Sequence, residues 1–326
     1  MAANQETGLE RRIKMGTIEC LCISEAKGTT KTARDHVELK AAHGIVGDAH
    51  AGPWHRQVSI LANEDIETIR KKGLPDLAPG AFAENIIVNG VDLSTLGLGS
   101  RLQLGGQVAL SITQIGKVCH SRCQIFHKTG DCIMPRLGLF ARVEQGGSLE
   151  RGAQVTVQKH IDRSCFQCVV LTISDRCSTG ETVDTAGPAV EKILLDNLTA
   201  NIYRRTILPD EQDQIENSLK HYADGHSIDL VFTVGGTGFS PRDVTPEATR
   251  NVVERLTPGL NEAMRAASLQ ITPRAMLSRA VSGIRRSTLI VNLPGSKRAA
   301  EENLRTILPA LSHGLLKLRG DPSDCG

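Results

Sequence analysis

The stretch Phe232–Ala248, FTVGGTGFSPRDVTPEA, constrains the fold of this chain more than any other. A short apolar run ending at Val234 breaks into Gly235-Gly236-Thr237-Gly238. Ser240, Arg242, Asp243 and Thr245 follow, and a helix start is expected at Pro246. Glycines let a backbone approach an anion closely and present bare N–H groups to it. The helix behind the loop adds the positive end of its dipole. Asp243 is a carboxylate suited to holding a magnesium ion against phosphate oxygens. The pattern predicts a phosphate or nucleotide pocket at the carboxyl end of a buried strand. A GGTG turn alone would say little; its context is far more specific.

Two rhythms divide the chain. From Gly16 to about Val157 the apolar segments are short and strand-like: Ile18–Ile23, Val58–Leu61, Ile86–Val88, Val108–Ile112 and Val155–Val157. Glycine turns separate them, and only Glu64–Lys72 reads as a helix, with Asn63 as its N-cap. Many short strands with glycine turns predict a β-barrel or sandwich. Beyond Ser164 the rhythm becomes strand, helix, strand, helix. Strands are expected at Val169–Ile173, Ile202–Leu208, Leu230–Val234 and Thr288–Leu293, and a last helix from about Lys297 that Pro309 should bend. This alternation predicts a doubly wound, mainly parallel α/β sheet. The boundaries read as a disordered tail over 1–15, a first domain over 16–158, a linker over 159–166, a second domain over 167–321 and a short tail over 322–326. With 326 residues, each domain has room for its own core.

In an open parallel sheet, ligands sit at the carboxyl ends of the strands. Those ends supply Thr172, Ser174 and Asp175 after the first strand, and Asp210 and Glu211 after the second. The third supplies the glycine loop with Asp243, and the fourth Asn292, Pro294, Gly295 and Ser296. Each taken singly reads as an ordinary helix cap. Four such ends together point to a site.

The segments TISDRCSTG, LPDE, VFTVGGTGFSPRDVTPEAT, TPGL, AMLSRAVSGIR and TLIVNLPGS stand in this order between Gln167 and Asp321. In them the chain resembles the Mog/MoaB-type domain, the molybdopterin adenylyltransferase. The resemblance implies a homotrimeric α/β protein that binds molybdopterin, magnesium and ATP, and that transfers AMP onto the pterin's terminal phosphate with release of pyrophosphate. It implies that Asp210 and Asp243 are the two essential, metal-holding aspartates, with Asp175 a third carboxylate near the nucleotide. Gly235, Gly236, Thr237 and Gly238 would cradle phosphate. Thr172, Ser174, Ser278, Asn292, Pro294 and Gly295 match positions lining the pterin-phosphate pocket or its approach. The chain departs from the family pattern at Ala186, where a serine is frequent, and at Lys297, where a proline is frequent.

The first half carries GDAHAGPWHRQVSIL (47–61) and GKVCHSRCQIFHKTGDCIMPRLGLFARV (116–143). In these blocks it resembles the MOSC domain, a β-rich fold in which a cysteine is thought to carry sulfur or ligate the cofactor's metal. Cys123 is the closest match, with Cys119 and Cys132 as second choices. His120, Arg122, His127 and Lys128 would lower its thiol pKa. A zinc site built from Cys119, Cys123, His127 and Cys132 is a competing reading, and so are inert buried thiols. His43, His50 and His55, flanked by Arg56, suit an anion-facing loop. Cys165 and Cys168 read as packing residues. The MOSC half would then bind, carry or modify a molybdenum or tungsten cofactor, with enzymes that insert or receive that cofactor as partners. A non-catalytic carrier or trimeric scaffold is the alternative for the whole chain.

Composition limits other functions. Lys and Arg number 38 against 36 Asp and Glu, and aromatics make up 3%, so no nucleic-acid footprint is expected. No apolar run reaches the ~18 residues a membrane span needs. Nine cysteines in a chain of this size read as reduced thiols, and a cytoplasmic location is expected. A dinucleotide site fails on spacing, because no GxGxxG is present.

Overall fold

The computed structural model describes residues 15–117, 124–226 and 228–323. The chain divides between Arg163 and Ser164 into two compact units. Little of the expected linker is free chain. The last strand of the first unit reaches Lys159, Leu96 and Asp162 form an isolated bridge, and the next strand starts at Phe166.

The first unit is built on strands β1 (Gly16–Ile23), β2 (Thr32–Arg34), β3 (His36–Lys40), β4 (Gly44–Ile45), β5 (Val58–Ala62), β6 (Ile86–Asn89), β7 (Arg101–Leu104), β8 (Val108–Ile115), β9 (Leu139–Gln145), β10 (Gly147–Glu150) and β11 (Gln154–Lys159). Its helices are α1 (Asn63–Lys71), α2 (Gln124–Thr129) and α3 (Met134–Leu137). Seven strands close in the order β11-β7-β8-β9-β5-β6-β1, with β1 pairing back onto β11 through Gly16 and Val155. Closure removes the exposed edges that a short-stranded sheet would otherwise present. It also demands a glycine at position 16, since a Cβ there would stand 2.3 Å from the Asn89 carbonyl oxygen. A separate three-stranded sheet, β10-β3-β4, completes the β content. The expected strands are all present, and the helix after β5 is present with a different start. Asn63 is not the N-cap. Ala62 holds that position without a side-chain hydrogen bond, because β5 stays paired to β6 through Ala62 and runs directly into α1.

The second unit is an α/β fold. Its strands are β12 (Phe166–Ile173), β13 (Ala200–Leu208), β14 (Leu230–Val234), β15 (Arg255–Leu256), β16 (Ser282–Arg285) and β17 (Thr288–Leu293). Its helices are α4 (Asp175–Ser178), α5 (Ala186–Asn197), α6 (Gln212–Gly225), α7 (Thr245–Val252), α8 (Pro258–Leu269) and α9 (Lys297–Leu318). The sheet order is β13-β12-β14-β17-β16-β15. The first four strands are parallel, and β16 and β15 add an antiparallel edge. All eight residues of β12 are buried, as befits a strand covered on both faces. Cys168, Val170, Phe232 and Val291 pack with α5, α8 and α9 residues such as Val190, Met264 and Leu304. Alternate residues Val169, Leu171, Val231 and Ile290 are fully buried as well, and α7 packs on β16 and β17 beside α6. The last helix runs on through Pro309 to Leu318 without a break in its helical span.

This strand order places the topological switch between β12 and β14. The chain leaves β12 toward β13 on one side and returns to β14 on the other. At such a point the loops diverge and open a crevice at the strand ends.

Candidate functional site

The crevice of the second unit is built from the ends of β12, β13 and β14. Ser174 caps α4, its Oγ accepting from the Cys177 amide at 3.2 Å, which fixes Asp175 at the first helical position. Asp175 and Asp210 are tied reciprocally. The Asp175 amide donates to Asp210 Oδ2 at 2.9 Å, and the Asp210 amide donates to Asp175 Oδ1 at 3.0 Å.

The glycine loop then folds against Asp210. Gly235 and Gly236 both adopt positive φ, at 115° and 63°. A Cβ on Gly235 would stand 2.3 Å from the Ile173 carbonyl oxygen. A Cβ on Gly236 would stand 2.3 Å from Thr245 Oγ1 and 3.0 Å from Asp210 Oδ1. One on Gly238 would stand 3.0 Å from Asp243 Oδ2. Asp210 and Asp243 therefore flank a single loop. Asp243 also organises that loop, accepting the Ser240 amide at 2.8 Å.

Electrostatics divides the carboxylates. Burial, then the nearby charges of Asp175 and Asp243, push the Asp210 carboxyl above its ordinary range. Hydrogen bonds from Arg242, then from the Asp210 amide, hold the Asp175 carboxyl below it. Arg242 forks across Asp175, with Nε to Oδ2 and an Nη to Oδ1 both at 3.0 Å, and reaches Glu211 Oε1 at 2.8 Å. Arg279 braces the loop from the other side. It donates to the Gly238 carbonyl at 2.6 Å, to the Asp243 carbonyl and to Glu247 Oε1 at 2.5 Å.

The remaining expected site residues fall into two groups. Thr237 lies in the loop, its carbonyl accepting the Arg279 amide at 3.0 Å, so Ser278 borders the same loop. Pro294 and Gly295 follow β17, and a Cβ on Gly295 would lie 3.2 Å from the Gly235 Cα. Thr172 and Asn292 instead face inward. Thr172 Oγ1 donates to Asp184 Oδ2 at 2.8 Å. Asn292 is wholly buried, donates to Thr233 Oγ1 and Thr249 Oγ1 at 2.8 Å each, and accepts the Val281 amide at 3.0 Å. With both amide protons committed, Asn292 fastens the sheet to α7 rather than lining a pocket.

The sequence did not mark Asp184, Arg279 or Thr245 as site residues. Asp184 caps α5 through the Ala186 and Gly187 amides at 3.1 and 2.9 Å, and its DTAGP context was the available signal. Thr245 is fully buried, and its Oγ1 has no hydrogen-bond partner among the described residues.

The donor set bears on magnesium. No three His, Cys, Asp or Glu side chains converge to enclose an ion among the described residues. Magnesium bound to a nucleotide needs no such cage, because one or two carboxylates, water and the phosphates complete its octahedron. Asp210 Oδ1 and the orphaned Thr245 hydroxyl, both set over Gly236, fit that partial demand.

The first unit holds a cavity of about 540 Å³. Trp54, Phe82, Ile125 and Phe140 give it apolar walls, while His50, Arg56, Lys117 and Lys128 supply polar and cationic groups. No carboxylate lines it among the described residues. The Arg56 guanidinium lies 4.8 Å from the Trp54 ring centre, its Nε lacks a hydrogen-bond partner among the described residues, and burial lowers its pKa. His50 belongs to a buried cluster beside the cavity. Asp48 accepts from Lys31 Nζ at 2.5 Å, from the His50 amide at 2.9 Å and from the Ser24 amide at 3.0 Å. Burial opposes Asp48 ionisation, yet the hydrogen bonds from His50, Lys31 and the backbone hold its carboxyl well below the ordinary range. His55 bonds Gln114 at 3.0 Å, and Cys132 lines the cavity. Cys123, like Cys119, lies outside the described residues. In the second unit Cys168 is buried in β12, where burial raises its thiol pKa.

Comparisons with known proteins agree with this division. The model of a probable molybdopterin binding domain matches residues 169–313, and that of the MOSC domain matches residues 47–156. A molybdopterin adenylyltransferase of Helicobacter pylori is 43% identical over 145 residues, covering 44% of this chain and 82% of that protein. Its Escherichia coli counterpart is 44% identical over 142 residues, 43% of this chain and 73% of that protein. Gephyrin of Dictyostelium discoideum is 41% identical over 165 residues, 47% of this chain but 22% of its own length. No helix among the described residues is long and apolar enough to cross a membrane.

Proposed function

Because this chain belongs to the Mog/MoaB family of molybdopterin-binding domains, here joined to a MOSC domain, we propose that its second unit is a molybdopterin adenylyltransferase. An oxygen of the pterin's terminal phosphate attacks the α-phosphorus of ATP. The bond from that phosphorus to the bridging oxygen breaks, and pyrophosphate leaves with the electron pair. Such a transfer needs alignment and charge neutralisation more than a covalent nucleophile. Magnesium, when bound, supplies much of that neutralisation. Asp210 and Asp243 would hold it from the two sides of the loop. The amides of Gly236, Thr237 and Gly238 would orient the phosphates, while the Gly235 amide, which donates to the Leu293 carbonyl at 3.0 Å, ties the loop to β17. Ser278, Pro294 and Gly295 would border the pterin's approach. Arg279 keeps the loop in shape.

The observation that carries this reading is the placement of Asp210 and Asp243 against one glycine loop at the sheet's switch point. A pure scaffold has no use for two carboxylates crowded around a glycine loop. A homotrimer, in keeping with this reading, is the expected assembly. For the first unit, we propose that the cavity takes an anionic, flat cofactor. Trp54 and Phe140 would face its ring, Arg56 and Lys128 its charge, and Cys123 would carry sulfur or ligate molybdenum or tungsten.

The test is Asp243→Asn. The amide can still accept from Ser240, so the loop is retained, while the metal-holding charge is lost. Adenylylated pterin should fall on the order of 1,000-fold, with the unfolding midpoint unchanged. A variant that works normally would remove Asp243 from the reaction.

A further inference from the structure

The acidic crevice carries its own cation. Asp175, Asp210, Glu211 and Asp243 gather around the loop, and Arg242 is bonded to two of them. We infer that Arg242 is the exchangeable counter-ion of this crevice: it holds Asp175 and Glu211 in the metal-free protein, yields Asp175 to an incoming divalent cation, and turns its freed N–H groups to the nucleotide's phosphates. The inference rests on the adenylyl-transfer reading for the identity of the nucleotide.

Three observations support it. First, the partners of Arg242 are side chains alone, whereas Arg279 is fastened to the Gly238 and Asp243 carbonyls. Arg279 cannot leave without undoing the loop; Arg242 can leave and disturb no backbone bond. Second, Arg242, Asp175 and Glu211 are 52%, 41% and 51% exposed at their side chains. Exposed pairs of this kind contribute little to folding and exchange readily. A guanidinium fork fits a phosphate as well as it fits a carboxylate, so the exchange replaces one bidentate partner by another. Third, the buried Thr245 hydroxyl, without a partner among the described residues, faces the point over Gly236 that Asp210 Oδ1 also faces. The crevice thus holds an unfilled polar position beside the carboxylates, as a site awaiting a ligand does.

The experiment titrates manganese into the intact protein without nucleotide and measures free metal by electron paramagnetic resonance. Arg242→Ala removes the competitor and should bind manganese about tenfold more tightly than the wild type. In the adenylylation assay the same variant should show an ATP KM raised about tenfold. Arg242→Gln, which keeps most of the side-chain bulk, should reproduce both shifts. Unchanged or weaker manganese affinity in either variant overturns the inference, as does an unchanged KM. Should the wild type form no adenylylated pterin, the enzymatic reading fails, while the manganese titration still decides whether Arg242 competes with a cation.

Discussion

The two units each hold a carboxylate against a cation, in opposite ways. In the barrel, Lys31 and Asp48 are 1% and 0% exposed, and the Ser24 and His50 amides complete the carboxylate's bonds. In the α/β unit, Arg242 and Asp175 are half-exposed at the mouth of the crevice. A buried pair cannot part without stranding a charge in the interior, so it belongs to the fold. An exposed pair parts at small cost and is available to a ligand. The ligand sites follow the same division. The barrel cavity is apolar and cationic and can take an anion directly. The crevice is acidic, and on the proposed reading a metal would bridge its carboxylates to the anion.

The largest effects should fall where this contrast is sharpest. Lys31→Met leaves Asp48 buried without its cation and should destabilise the first unit by about 3–5 kcal/mol in urea unfolding. Arg242→Ala should leave the unfolding midpoint in place. Equal losses in the two variants would break the contrast. Gly236→Ala tests the crevice wall: a Cβ at φ 63°, driven toward Thr245 Oγ1 and Asp210 Oδ1, should cost about 1–3 kcal/mol. Nucleotide binding should be lost along with it, as read by calorimetry with ATP and magnesium. Arg56→Ala tests the barrel. Co-purified pterin cofactor should fall about tenfold while adenylylation by the second unit persists.

The smallest effect is a pH dependence. Burial and the neighbouring carboxylates raise the Asp210 pKa, so the folded state keeps a proton where the unfolded chain has already released it. Stability therefore falls as pH rises from the ordinary value of 3.8 through the raised folded value. Asp210→Asn removes this penalty and can still accept the Asp175 amide. Its unfolding midpoint should exceed that of the wild type at about pH 7, and the gap should close below about pH 4. A gap that does not change with pH would show that the carboxyl is not strained in the fold.

The sequence exposed the parts of the fold that rest on apolar runs. Leu230–Val234 and Thr288–Leu293 are strands with the bounds their hydrophobicity suggests, because parallel strands buried on both faces leave an unbroken apolar signature. The antiparallel edge was not legible: Arg255–Leu256 is exposed, and Ser282–Arg285 is half polar. In the crevice, Asp210 and Asp243, which flank one glycine loop, stand in local motifs that a sequence can display. Arg242 and Arg279 act through partners 67 and 36 residues away, and no local pattern records such pairs. Asn292 was misplaced for a related reason. A polar residue at a strand end looks like a ligand group until its buried partners, Thr233 and Thr249, are seen.

The most direct test mixes the purified full chain with molybdopterin, magnesium and ATP labelled on its α-phosphate. Adenylyl transfer at the crevice predicts label on the pterin and one pyrophosphate released per transfer, both lost in Asp243→Asn. Label that stays in ATP with the wild-type protein, while molybdopterin is nonetheless bound, would contradict it and leave a carrier in place of an enzyme.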